Sequence, residues 1–292
     1  MVTAARALLE GVFDYAGLFP PASLRMAEAG ELYLGHLAGT ESWIVDRFIC
    51  PVGRLNELGR FLAEQTEDEP WSIAVTGTDI STVKDDLQAI ETFEFADHVE
   101  ISCYEVRAPE GISKSAMKAL AQLDSDVYVE FPLDDQFSDR VSQLAESEIV
   151  GVKARLGGVT PDAFPTVTRV AEFIKLTSDL ELPFKLTAGL HHPMRHLDPA
   201  LGMMHGFLNC LLAAAFTAHF DLTTVEVGMI LDEQDPMHFE FAEDRIMIGE
   251  LDLEIEDILS FRMLLGGIGS CSITEPYEGL SGIGPGAAKI FS

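Results

Sequence analysis

A short β-branched run followed by a helical segment recurs about every 25 to 30 residues, and this alternation constrains the fold more than any other feature of the chain. Strands that alternate with helices form parallel sheets, because a parallel pair needs a crossover long enough to return the chain to the same edge. Strands are expected at Val12–Ala16, Trp43–Ile49, Trp71–Thr76, His98–Tyr104, Asp126–Phe131, Ile149–Leu156, Phe184–Ala188 and Ile268–Ile273. Helices are expected between them, near 23–38, 53–65, 79–94, 113–122, 137–146, 162–177 and 199–218, several opened by capping residues such as Asp79, Ser113 and Ser138. Eight such units predict an α/β fold, a (β/α)8 barrel of the TIM type, as a single domain over 1–292. A doubly wound sheet of seven or eight strands is the competing arrangement. Residues 219–262 carry a helix, a hairpin in which HFEF and RIMI flank AED, and a further helix, which reads as an insertion before the last strand.

The 48 acidic residues against 19 basic ones give a formal charge of −29, which repels phosphate backbones and anionic lipid surfaces. Nucleic acid and membranes are therefore poor partners, and so much carboxylate with only seven Lys suits a cytoplasm rich in salt. Cys50, Cys103, Cys210 and Cys271 lie far apart with no CxxC pair and read as reduced thiols of a cytoplasmic protein. The opening MVTAARALLEGVFDYAG has no secretory pattern, and the longest apolar stretch, Gly206 to Ala218, suits a buried helix better than a membrane span. A small anionic substrate is the expected partner, with homo-oligomerisation left open.

Strand alternation locates the chemistry. Val99, Ile101 and Cys103 oppose Glu100 and Ser102 on the fourth strand, and Val127, Val129 and Phe131 oppose Tyr128 and Glu130 on the fifth. Val152, Ala154 and Leu156 oppose Lys153 and Arg155 on the sixth, and Phe184, Leu186 and Ala188 oppose Lys185 and Thr187 on the seventh. If the apolar parity packs on helices, Glu100, Glu130, Lys153, Arg155 and Lys185 share one interior, which is costly unless they are paired and useful. Of the seven lysines only Lys153 and Lys185 fall in strands. A Lys beside another cation in a low-dielectric pocket has a depressed pKa and makes a competent nucleophile or proton carrier. Arg155 suits a substrate carboxylate or phosphate.

The loops after the last strands add further candidates. Gly157, Gly158 and Gly189 let backbone amides approach a ligand, and Gly269, Ser270 and Ser272 form a candidate anion-binding group. The segment LHHPMRHLDPALGMMHGFLN gathers His191, His192, His196 and His205, half of the eight histidines. His191 and His192 suit proton transfer, while Arg195 and His205, the latter oriented by Asn209, suit substrate binding. HExxH is absent, so no metal ligands are assigned. Asp14 reads first as a turn carboxylate, and Glu275 as a partner for the mouth arginines.

The strings KARLGG, FKLTAGLHHP, HGFLN and GSCSITEP resemble the motifs of a poorly characterised bacterial family over most of the chain, a likeness that implies no activity. GVKARLGG at Lys153 is similar to the glycine-rich lysine motif of class I aldolases of the deoxyribose-phosphate aldolase type, and FKLTAG at Lys185 to their Lys-Thr motif. That resemblance implies a barrel with a Schiff-base Lys on strand six and a second Lys on strand seven. The aldolases carry the two motifs in the opposite order, so which lysine is the nucleophile stays open.

The expected function is an enzyme acting on a small anionic carbonyl compound, a carbon–carbon lyase of aldolase type working through a lysine imine. Lys153, Lys185, Glu100, Glu130, His191 and His192 are its catalytic candidates, and Arg155, Thr187, Arg195, His205, Gly269, Ser270 and Ser272 its binding candidates. No cofactor is expected. One alternative is a lyase or hydrolase with a divalent metal held by Glu100 or Glu130 and the mouth histidines. The other is a non-catalytic binding barrel whose inward charges are structural pairs.

Overall fold

The computed structural model describes residues 2–65, 69–144, 150–283 and 290–291. Eight parallel strands, Phe13–Tyr15, Val45–Pro51, Trp71–Thr76, Val99–Arg107, Asp126–Glu130, Val150–Arg155, Phe184–Thr187 and Leu265–Ser270, follow one another around a closed barrel. The eighth pairs with the first, Phe13 opposite Ile268, so the doubly wound sheet is excluded. Helices intervene between strands, as an α/β barrel of the TIM type requires. The helix expected over 137–146 spans Phe137–Ser142, and 145–149, which hold the expected start of the sixth strand, lie outside the described residues.

The fourth strand departs from simple alternation. Ile73 pairs with Ile101 but Ala74 with Cys103, so one extra residue, Ser102, is accommodated by a β-bulge. Its hydroxyl donates to the Ile73 carbonyl at 3.1 Å. Beyond the bulge the parity inverts. Tyr104 and Val106 join the core beneath the helices, while Cys103 packs with Ala16, Ile49, Ala74 and Tyr128 in a separate interior cluster, and Glu105 follows it inward. Glu100, read as an inward group, is instead exposed, because it is the second residue of the strand, at the end of the barrel away from the carboxyl ends of the strands.

Two further elements differ from the sequence reading. The eighth strand begins at Leu265 rather than Ile268, although LGGIGS has little β-propensity. Tertiary packing explains its glycine: a Cβ on Gly266 would stand 2.3 Å from Tyr128 Oη and 2.7 Å from Lys185 Cγ. The expected helix over 199–218 begins later, at Phe207, after a small antiparallel pair of His196–Asp198 with Gly202–Met204. Gly202 turns that hairpin at φ +87°, and Asp198 Oδ1 accepts from the Ala200 and Leu201 amides at 2.8 Å each. Helix Phe207–Phe220 is apolar on every side and buried from Phe207 to Thr217. After it come helix Thr224–Asp232, the antiparallel ladder of Glu240–Phe241, Arg245–Ile248 and Leu251–Glu254, and helix Ile255–Arg262.

Gly157 and Gly189, read as ligand-approach glycines, pack against each other. A Cβ on Gly157 would meet Gly189 Cα at 2.7 Å and Phe164 Cε1 at 2.7 Å, and Gly189 has φ +72°. The two loops above strands six and seven therefore touch backbone to backbone. Gly157→Ala should cost about 1–3 kcal/mol by overpacking. Gly53→Ala, whose Cβ meets nothing within 4 Å, should stay within about 0.5 kcal/mol. Urea midpoints of the two variants check the contrast.

Candidate functional site

The carboxyl ends of the strands open into a cavity of about 920 Å³. Glu105, Glu130 and Lys153 lie deep in it, Arg107, Arg155 and Thr187 stand higher, and His191, His192, Cys271, Ser272 and Glu275 come from the loops above strands seven and eight. The loop after the first strand closes another side with Phe19, Pro20 and Pro21. This is the end at which barrel loops converge and where barrel enzymes place their chemistry.

Beneath the cavity runs a chain of alternating charges. Lys185 Nζ contacts Asp14 Oδ2 and lies 2.7 Å from Glu105 Oε1. Glu105 Oε2 accepts from Lys153 Nζ at 2.6 Å, and Lys153 stands 3.3 Å from Glu130 Oε2. Arg155 Nε donates to Glu130 Oε1 at 3.0 Å. At the other end Arg47 approaches Asp14 at 3.7 Å and Asp46 at 2.9 Å, and donates to the Gly266 carbonyl at 3.0 Å. Register explains part of this chain: Arg107 pairs with Glu130, Glu130 with Lys153, and Lys153 with Lys185, so these positions lie side by side on four neighbouring strands, while Glu105, paired with Tyr128, reaches both lysines across the interior.

Burial alone would raise the Glu105 pKa, but the Lys153 and Lys185 ammoniums outweigh it and hold the carboxyl at about 2. Glu130 is likewise lowered, burial being overcome by Lys153 and Arg155. The lysines show the reciprocal effect. Desolvation pulls Lys153 down, yet Glu105 and Glu130 raise it above its ordinary value, and Asp14 and Glu105 do the same for Lys185. The expected depressed lysine is thereby corrected, since carboxylates and not a second cation are each ammonium's nearest charges. The Cys103 thiol, desolvated beside Lys185, is pushed up to about 11.

Several sequence candidates lie away from the cavity. His205 is buried, with Nε2 2.8 Å from the Pro165 carbonyl and a pKa lowered by desolvation. Asn209 does not orient it. Its side chain accepts from the Arg195 amide and donates to the Ile230 and Glu233 carbonyls, pinning the loop to helix Thr224–Asp232. Arg195 points to Asp232 at 2.8 Å. The Ser270 hydroxyl is buried and donates to the Ser272 carbonyl at 2.6 Å, so of the proposed anion group only Gly269 and Ser272 reach the cavity. Glu275 lies 2.9 Å from His191 Nδ1, not against an arginine. Among the described residues, no three His, Cys, Asp or Glu side chains are arranged to hold a metal ion.

Fold and site together define a barrel of the TIM type with a charged cavity at the carboxyl ends of its strands. No family model, curated protein or solved structure matches the chain. No helix among the described residues is long and apolar enough to cross a membrane. The sequence reading missed Glu105, Arg107 and Cys271. The signal for Glu105 is the continuation YEVR, which extends the fourth strand past Tyr104.

Glu105→Gln strips two buried ammoniums of their shared partner and should cost about 3–5 kcal/mol. Because the folded pKa, about 2, lies below the ordinary 4.5, the carboxylate's stabilisation is present above about pH 4.5 and is lost as pH falls toward about 2. Denaturant unfolding of wild type and Glu105→Gln across that window should therefore converge at the acid end, whereas parallel curves would show that Glu105 carries none of the acid sensitivity.

Proposed function

We propose that this barrel is an enzyme acting on a small anionic carbonyl compound through an imine on Lys153, as a carbon–carbon lyase of aldolase type. The observation that carries the reading is the position of Lys153, at 8% exposure on the cavity wall, whereas Lys185 is 1% exposed beneath it. Lysines on strands six and seven are the pair that the aldolase resemblance implies. Segment 219–262 is read as an insertion in the last crossover of that barrel.

The carboxylates that raise the pKa of Lys153 oppose the first attack but favour the intermediate that follows. An iminium carries the same positive charge in the same place as the ammonium, so Glu105 and Glu130 stabilise both. The amine must first release a proton, and Glu130, 3.3 Å away, can accept it. Nitrogen then adds to the carbonyl carbon, the carbinolamine loses water, and the iminium takes up the electron pair of the adjacent carbon–carbon bond when it breaks. Arg155, half-exposed above Glu130, and Arg107 can hold the anionic end of the substrate.

Complete pairing of the interior charges also favours a second reading, a non-catalytic barrel in which they are structural. Borohydride reduction with a panel of small aldehydes and keto acids, read by intact mass, separates the two. The imine reading expects a covalent adduct that Lys153→Met removes and Lys185→Met keeps in place. Its rate should rise from about pH 7 to about pH 10, because only the deprotonated amine attacks and its pKa lies above 10.5. Lys153→Met leaves Glu105 paired with Lys185 and Glu130 with Arg155, so the imine reading expects the variant to keep its fold. No adduct from any compound, with unaltered stability on Lys153→Met, would defeat both readings; no adduct with a large stability loss would select the structural one.

A further inference from the structure

Cys271, His191 and Glu275 form a second constellation on the cavity wall, and the lysine chemistry leaves it unused. Cys271 follows the eighth strand and His191 lies in the loop after the seventh. Cys271 Sγ stands 3.9 Å from His191 Nε2, while the other ring nitrogen, buried and without an aligned hydrogen bond, lies 2.9 Å from Glu275 Oε2. Thiol, imidazole and carboxylate thus follow one another, one neighbour at each ring nitrogen, the order in which a nucleophile, its base and the group that orients the base must stand. Such contacts are commonly long before a substrate tightens them. Hydrogen bonds within the turn hold the geometry, Ser270 Oγ to the Ser272 carbonyl at 2.6 Å and the Glu275 amide to Ser272 Oγ at 3.2 Å.

We propose that Cys271 is a second nucleophile of the cavity, with His191 as its general base and Glu275 as the positioning residue, and that it takes a small anionic aldehyde as a reversible hemithioacetal. The thiol proton passes to His191 Nε2 as the Sγ–carbon bond forms. The carbonyl π pair moves to oxygen, which then takes that proton back from the imidazolium, so neither an oxidant nor a leaving group is needed. Desolvation raises the Cys271 pKa, so the resting group is a thiol that needs a base at the moment of attack. The aldehyde class rests on the function proposed above; the nucleophile does not.

Alkylation of the whole protein by iodoacetamide, followed by intact mass and peptide mapping, tests the proposal. Cys50, Cys103 and Cys210 are buried, so the folded protein should take one label, on Cys271. His191→Gln should slow labelling at least about tenfold. Glu275→Gln should slow it less, and Glu275→Asp, which keeps the carboxylate, should lie nearer wild type. Glyoxylate, the probe aldehyde, should protect Cys271 in wild type and equally in Lys153→Met, so this outcome does not depend on the imine. Labelling of Cys271 at the rate of a small free thiol, unchanged by His191→Gln, would overturn the nucleophile. Protection that is absent, or that vanishes in Lys153→Met, would overturn the hemithioacetal.

Discussion

Glu105 holds two ammonium groups at once, one through each oxygen, and the interior of the barrel depends on that bridge. An unpaired ion in such a place costs several kcal/mol, and neither lysine could stay charged there without a carboxylate beside it. Asp14 and Glu130 extend the bridge on either side until it reaches Arg47 and Arg155. The rest of the packing makes room for this chain. Gly266 leaves space for Tyr128 and the Lys185 stem, and the bulge at Ser102 delivers the carboxylate to the correct face.

That bulge also marks the limit of what the sequence discloses. Lys153, Arg155, Lys185 and Glu130 were legible as inward groups because their strands alternate without interruption, and the closed barrel followed from the spacing of the strands. Cys103 and Glu105 escape that alternation because a single extra residue reverses every later side chain and leaves no local trace in composition, whereas Glu100, before the bulge, is exposed because it is at the start of the strand. The first half of the strand, with Val99 and Ile101 toward the helices, reads correctly, and the half beyond Ser102 reads in the reverse direction. Asp14 failed for a different reason: beside FDYAG it looks like a turn residue, and only the closure of strand one on strand eight places it against Lys185.

Histidines show the same separation between local and tertiary information. Four of them crowd one segment, yet the hairpin His196–Asp198 with Gly202–Met204 divides it, so that His191 and His192 meet the cavity while His205 turns to the Pro165 carbonyl on the far side. Cys271, flanked by Ser270 and Ser272, reads with the other cysteines as a reduced thiol, and only its place just past the end of the eighth strand brings it to the rim. Spacing within a motif says what residues are near in sequence; the loop geometry decides which of them share a wall.

The paired interior has one more consequence. Four cations and four carboxylates cancel in the chain from Asp46 to Arg155, so the whole formal charge of −29 is borne by the rest of the molecule. Seen from a distance the protein is a negative shell around a neutral centre, and a small anion nearing it climbs a potential hill before meeting any favourable charge. Arg107 and Arg155, on the cavity wall, are where that slope reverses. Dissolved salt flattens the hill more than it weakens contacts inside the cavity, so the ionic medium sets how readily the barrel can be entered, in the sense opposite to that of a protein that draws its ligand in by attraction.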